Sequence, residues 1–282
     1  MREVRLPQDR AAALAVVSRR LASDVPGYTP HPGELDWWWY HRDPDEGRCV
    51  TWFDQDAVVH VEPDGPSTTV IADDSWLSTA LTVVQPDTAI VEMVATRDPA
   101  REHHLAALGL APSGRVLLEL HHPLDPLSLR TLPDATVAPG WRVTTMAHGV
   151  DVDSRADAAR LAFRTELAPA EHRARYRSFT ASPGYVPSRD VVAVDDDGRV
   201  GSFCQWWADP SGVAQVEPMG TLPQVQRTGL GRAVLGASLR AAAEEGMTVM
   251  RVLALEGYFA TDFYLACGFA VVDRLRDWVR PG

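Results

Sequence analysis

From about residue 138 onward, apolar positions fall into segments that repeat either every second residue or every three to four. Trp141–Met146 alternates and predicts a strand, while Asp153–Phe163 and the Arg-rich Pro169–Phe179 carry helical spacing. Asp190–Val194 and Val200–Trp207 flank Asp195-Asp196-Asp197-Gly198, a turn that makes them a hairpin. Val213–Leu222 reads as a further strand, stopped by Pro223. In Gly229–Glu245, Leu230, Val234, Ala237 and Ala241 recur on one face, and Gly246 closes the helix. Thr248–Leu253 predicts a strand, Phe259–Cys267 a short helix and Phe269–Trp278 a final strand. The expected order is β-α-α-β-β-β-α-β-α-β, an α/β fold with a mixed sheet covered by helices.

The first half repeats this order less clearly. Glu3–Leu6 predicts a strand and Asp9–Leu21 a helix, followed by strands at Arg48–Phe53, Ala57–Glu62 and Thr68–Ala72. A helix at Ser75–Leu81, a strand at Ala89–Val94, a helix at Pro99–Leu108 and a strand at Arg115–Leu120 complete it. Two short echoes suggest a divergent duplication. Gly27-Tyr28-Thr29-Pro30 matches Gly184-Tyr185-Val186-Pro187, and Leu108-Gly109-Leu110 before the last strand matches Cys267-Gly268-Phe269. The polar, Pro- and Gly-marked stretch Thr131–Gly140 is the expected boundary, giving domains 1–137 and 138–282. A chain of 282 residues can bury a core in each.

Charge separates the halves further. Residues 1–137 hold 11 Arg against 21 acids, a net of −10, and residues 138–282 hold 16 Arg against 17 acids, a net of −1. So acidic a surface argues against nucleic acid and suits a cationic small molecule, while the near-neutral half suits a polyanion. Lys and Asn are absent and Ile occurs twice, so the Arg richness reflects a GC-rich genome and carries no functional meaning. No apolar run reaches the roughly 20 residues that span a bilayer, and Cys49, Cys204 and Cys267 are too scattered for a disulfide framework. A cytoplasmic protein with no membrane partner is expected.

The chemistry concentrates in Gln226-Arg227-Thr228-Gly229-Leu230-Gly231-Arg232, between a strand and a long helix. A helix start offers unpaired N–H groups to phosphate oxygens. Gly229 and Gly231 let the backbone approach an anion, and Arg227 and Arg232 add charge-assisted bonds. Downstream by 35 residues from Gly229, Tyr264-Leu265-Ala266-Cys267-Gly268-Phe269 precedes the final strand. Together, Q-x-x-G-x-G after a strand and Y-x-x-x-G-F before the last one resemble the GNAT superfamily of acyl-CoA-dependent N-acyltransferases. The element order of 141–278 is similar to that fold too. The two-half arrangement is similar to that of tandem members such as mycothiol synthase, with a degenerate N-terminal half.

The resemblance implies that the strand before the loop parts from its neighbour and that Met219, Gly220 and Thr221 pair with the pantetheine arm of acetyl-CoA. It implies that Gln226–Arg232 cradle the pyrophosphate and that Tyr264 protonates the departing thiolate. Tyr264 could instead be a core aromatic beside Phe263 and Phe269. Gly257 stands where members often carry an Asn that contacts the cofactor, although Ala260 matches. An amine nucleophile must also lose a proton. Glu217, two residues before Met219 and expected on the same strand face, is the candidate base; a structural carboxylate beside Pro218 is the alternative. Gln215 lies where several members are acidic, and an amide cannot serve. The first half offers no such loop, since Ala72–Leu81 would set Asp73 and Asp74 against phosphate.

Trp206 and Trp207 are candidate substrate contacts, because adjacent rings on a strand cannot share a face and one of them should be partly exposed. Trp37-Trp38-Trp39-Tyr40 could cage a cation or pack between domains. The pairs His103-His104 and His121-His122 lack the spacing of a metal site, so no metal is expected. The function expected is transfer of an acetyl group to a primary amine by direct attack in a ternary complex. An acyl-CoA-binding sensor without turnover is the rival reading.

Overall fold

The computed structural model describes residues 2–23, 28–41, 50–61, 67–71, 77, 90–132 and 137–281. The strands are β1 (Arg2–Glu3), β2 (Val50–Phe53), β3 (Val58–Val61), β4 (Ser67–Ile71), β5 (Ile90–Ala95), β6 (Ala111–Pro123), β7 (Trp141–Thr145), β8 (Asp190–Asp195), β9 (Val200–Ala208), β10 (Val213–Thr221), β11 (Val249–Leu255) and β12 (Ala270–Val279). The helices are α1 (Arg10–Leu21), α2 (Pro32–Tyr40), α3 (Pro99–Ala107), α4 (Pro126–Arg130), α5 (Val152–Phe163), α6 (Pro169–Thr180), α7 (Leu230–Glu244) and α8 (Phe259–Ala266). From β7 onward the order is the one expected. The predicted helix at Ser75–Leu81 falls almost wholly outside the described residues, as does Cys49.

All twelve strands join one mixed sheet in the order β1-β2-β3-β4-β5-β12-β6-β11-β10-β9-β8-β7. Pairing each strand of the first half with its counterpart six places later makes this order read the same from both ends. The parallel pairs β4–β5 and β10–β11 take equivalent places. The last strand of each half crosses over: β12 lies antiparallel to β5, and β6 runs between β11 and β12. The halves are therefore stitched at the middle of the sheet, where 13-residue β6 pairs along both edges.

The largest apolar core lies between this sheet and α7. Leu230, Val234, Leu235, Leu239 and Ala242 of that helix pack on Cys204, Trp206, Val216, Met250 and Val252; of the expected stripe, Leu230 and Val234 are buried there while Ala237 and Ala241 lie at its partly buried margin. On the opposite side, Tyr176 and Phe179 of α6 pack with Trp207 and against Trp37 of α2.

Helix α2 was not legible in the pattern, because three consecutive tryptophans have no helical period. Each ring meets a different wall instead. Trp37 lies edge-on to Phe179 with centroids 4.7 Å apart, Trp38 stacks on His60 at 4.6 Å, and Trp39 Nε1 donates to Thr51 Oγ1 at 2.9 Å. The helix opens with Pro32 behind an unusual capping box. The His31 N–H donates to Glu34 Oε1 at 2.7 Å and the Gly33 N–H donates to His31 Nδ1 at 3.0 Å. Among the described residues no helix is long and apolar enough to cross a membrane.

The two sequence echoes have different outcomes. Tyr28 precedes α2, whereas Tyr185 follows α6, so the Gly-Tyr-x-Pro pair does not occupy equivalent places. Gly109 and Gly268 do: both follow the helix that leads into the last strand of their half, and both are left-handed, with φ 81° and 90°.

Candidate active site

Strands β10 and β11 pair in parallel only through Val213–Val249, Ala214–Met250 and Gln215–Arg251. Beyond that point β10 stays with β9, while β11 continues along β6 as far as Leu255. The two parallel strands thus part, and Glu217, Met219, Gly220 and Thr221 all lie on the parted segment of β10.

A bulge sits at the point of parting. Val216 opposes Trp206 and Met219 opposes Cys204, so β10 carries one extra residue there. Val216 and Met219 both turn toward the α7 core. Glu217 goes to the other side, where Gln215 Nε2 donates to its Oε2 at 3.2 Å. The expectation that Glu217 shares a face with Met219 is therefore corrected: strict alternation does not survive a bulge.

Glycines hold the surrounding elements close. A Cβ on Gly220 would come within 2.6 Å of the Phe203 ring, so a larger residue would have to displace that ring. A Cβ on Gly231 would stand 3.2 Å from Thr221 Oγ1 and 3.5 Å from Phe263, the neighbour of Tyr264. The end of β10, the start of α7 and helix α8 converge at this position.

The loop at the start of α7 is open to solvent at Gln226, Arg227, Thr228 and Arg232. Its side chains brace it: Gln226 Nε2 donates to the Thr221 carbonyl at 3.2 Å, and Thr228 Oγ1 donates to the Val225 carbonyl at 2.8 Å. Arg227 and Gly229 adopt left-handed backbone, with φ 64° and 91°. The N–H groups of Gly229, Leu230, Gly231 and Arg232 have no hydrogen-bond partner among the described residues, the condition in which a helix start receives an anion. The loop thus offers its free N–H groups to an anion.

Tyr264 is 7% exposed and lies on α8 with its ring edge-on to Phe263 and Phe269, both at 5.4 Å. Burial raises its pKa, and the charge of Glu217 adds to the effect. The phenol therefore keeps its proton throughout the neutral range. Burial also pushes the Glu217 carboxyl up to about 8, helped by the negative charge of Glu34 and opposed by the Gln215 hydrogen bond and by Arg251.

Trp206 and Trp207 do point to opposite faces, but neither is exposed, at 1% and 4%. The expected partial exposure fails because β9 is an interior strand with packing on both faces. Trp206 lies in the α7 core, and Trp207 lies against Gly33 and Phe179.

Sequence reasoning missed Glu34, which reaches this region from α2. Pro32 at the helix start with a glutamate two residues on was the available signal. Among the described residues no group of three or more His, Cys, Asp or Glu side chains could hold a metal ion.

Residues 187–271 match the family model described as an acetyltransferase (GNAT) domain. No curated protein sequence matches the chain. The fold is similar to that of a tandem GNAT protein from the clavulanic acid biosynthesis pathway, at 14% identity and TM-score 0.67 over 98% of this chain and 96% of that one. It is also similar to a GCN5-related N-acetyltransferase from Sphaerobacter thermophilus, at 19% identity and TM-score 0.61 over 99% and 95%. A third similar structure is the C-terminal domain of a putative lysylphosphatidylglycerol synthetase from Agrobacterium fabrum, at 12% identity and TM-score 0.58 over 97% and 93%. Residues 187–271 thus match an acetyltransferase (GNAT) domain model, and the chain as a whole has the fold of the tandem GNAT protein it resembles.

Proposed function

We propose that the protein transfers an acetyl group from acetyl-CoA to a primary amine of a small molecule, by direct attack in a ternary complex. The observation that carries this reading is the parting of β10 from β11 beside a helix start whose N–H groups are unpartnered. The pyrophosphate fits the Gln226–Arg232 loop, with Arg227 and Arg232 adding charge. The backbone of Met219, Gly220 and Thr221 lies on the parted strand, where the pantetheine arm can pair with it.

In this reading the amine nitrogen attacks the thioester carbonyl carbon and the C–S bond breaks. Glu217 takes the proton that the nitrogen loses, and Tyr264 gives a proton to the departing sulfur. A carboxyl raised to about 8 is better matched to an amine proton than an ordinary glutamate. The acidic surface favours a cationic acceptor. Trp206 and Trp207, both buried, take at most an indirect part as walls behind the strand.

The test is release of free thiol from acetyl-CoA over a panel of primary amines including spermidine, lysine, glucosamine and tyramine. Release that depends on the amine and is lost in Glu217→Gln is the expected outcome. Saturable acetyl-CoA binding with no thiol release across the panel would replace this reading with that of an acyl-CoA sensor.

A further inference from the structure

Glu217, itself partly buried, joins a chain of buried polar groups, Gln215, Glu34 and Arg251, that crosses from one half to the other. Gln215 Nε2 donates both to Glu217 Oε2 at 3.2 Å and to Glu34 Oε1 at 2.7 Å, while Gln215 Oε1 accepts from Arg251 Nε at 2.7 Å. A carboxylate only accepts and a guanidinium only donates, so this amide cannot be turned over without losing all three bonds.

Glu34 is fixed as firmly. It is 3% exposed, and Oε1 also accepts from the Tyr28 hydroxyl at 2.9 Å and the His31 N–H at 2.7 Å. His31 is neutral. Its Nδ1 accepts from Gly33, its Nε2 donates to the Val213 carbonyl at 3.3 Å, and burial lowers its pKa to about 3.

We propose that Glu34, contributed by the N-terminal half, is a positioning residue of the site. Through the Gln215 amide it orients the Glu217 carboxyl and sets a second negative charge against it. The consequence for catalysis rests on reading Glu217 as the base; the coupling itself belongs to the folded protein. The charged and titratable groups facing Glu217 are Glu34 from α2, Arg251 from β11 and Tyr264 from α8, with Gln215 on its own strand. Arg251 is shared among several acceptors, and its Nη2 lies 3.7 Å from Glu34 Oε1. It also donates to the Thr29 carbonyl at 2.8 Å and lies 3.9 Å from Glu119 Oε1. The N-terminal half then supplies part of the site's electrostatics.

The experiment is a carboxyl-13C NMR titration of the full-length protein labelled at glutamate, with the Glu217 resonance assigned by its loss in Glu217→Gln. The wild-type midpoint is expected near 8. Glu34→Gln keeps the volume and an acceptor oxygen, and should lower the midpoint by about one pH unit. Gln215→Met leaves Glu34 in place but removes a bond that favours the ionised form, and should raise it. Both variants are compared at unchanged melting temperature and acetyl-CoA affinity, and if Glu34→Gln does not fold, Gln215→Met carries the test.

A wild-type midpoint in the ordinary carboxylate range, or one that stays put in a folded variant, overturns the proposal. Because the titration needs no acceptor, it fails separately from the functional reading. Full thiol release by Glu217→Gln removes the base assignment and leaves the coupling standing.

Discussion

The two halves end on the same backbone device with different chemistry on it. In α3 the Gly109 N–H donates to the Ala106 carbonyl at 3.0 Å and the Leu110 N–H to the Leu105 carbonyl at 3.1 Å. In α8 the Gly268 N–H donates to the Leu265 carbonyl and the Phe269 N–H to the Tyr264 carbonyl, both at 3.1 Å. Each is a Schellman motif, with a left-handed glycine and an apolar residue after it that packs back on the helix. Leu105 occupies the place of Tyr264, and Leu110 that of Phe269. The segment Y-x-x-x-G-F therefore has two separable parts. The glycine and the residue after it stop a helix and launch a strand, and only the tyrosine brings a proton. The first half has kept the stop and holds a buried leucine where the phenol would be.

Exchanging the two residues breaks this comparison with the largest effect. Tyr264→Phe is expected to lower kcat by about a hundredfold or more while acetyl-CoA affinity, measured by calorimetry, changes little. Leu105→Tyr should add no activity and cost about 1–3 kcal/mol by overpacking, read from denaturant unfolding. Loss of acetyl-CoA binding in Tyr264→Phe would make Tyr264 a packing residue like its counterpart.

The pH profile gives the next largest effect. A base must be ionised to accept a proton, and burial with the Glu34 charge holds Glu217 protonated up to about pH 8. Thus kcat/KM should rise about tenfold per pH unit below 8 and level off above it. In Glu217→Gln that limb should disappear along with most of the rate. A limb that persists unchanged in Glu217→Gln belongs to the amine substrate or to another group.

Much of the second half was legible because its elements are amphipathic in a single way. Helix α7 has one apolar stripe facing one core, so period alone places it. The places of the loop and of the helix carrying Tyr264 were legible because Gly229 and Gly268 stand at the start of one helix and the end of another, where the structure has left-handed backbone. Three features were hidden for physical reasons. Helix α2 meets a different wall with each successive tryptophan and shows no period. The bulge at Glu217 was marked only by Pro218, a residue that interior strands accept at bulges, and it turns that carboxyl to the face opposite the expected one. The exchange of β6 and β12 depends on pairing between residues more than 100 positions apart, which no local pattern reports.

The smallest predicted effect bears on the shared device itself. Alanine at either glycine must adopt left-handed backbone, which costs roughly 1–2 kcal/mol for a residue with a Cβ. A Cβ on Gly109 meets nothing within 4 Å, whereas one on Gly268 stands 3.3 Å from His122 Nε2 and has to displace that ring slightly. Gly109→Ala should therefore carry the backbone cost alone, and Gly268→Ala that cost plus a few tenths of a kcal/mol. Unfolding midpoints in urea give the comparison directly. Because β6 and β12 each complete the other half's side of the sheet, both variants should unfold in one cooperative transition. Two separated transitions in Gly109→Ala would mean that the exchanged strands do not bind the halves into one folding unit.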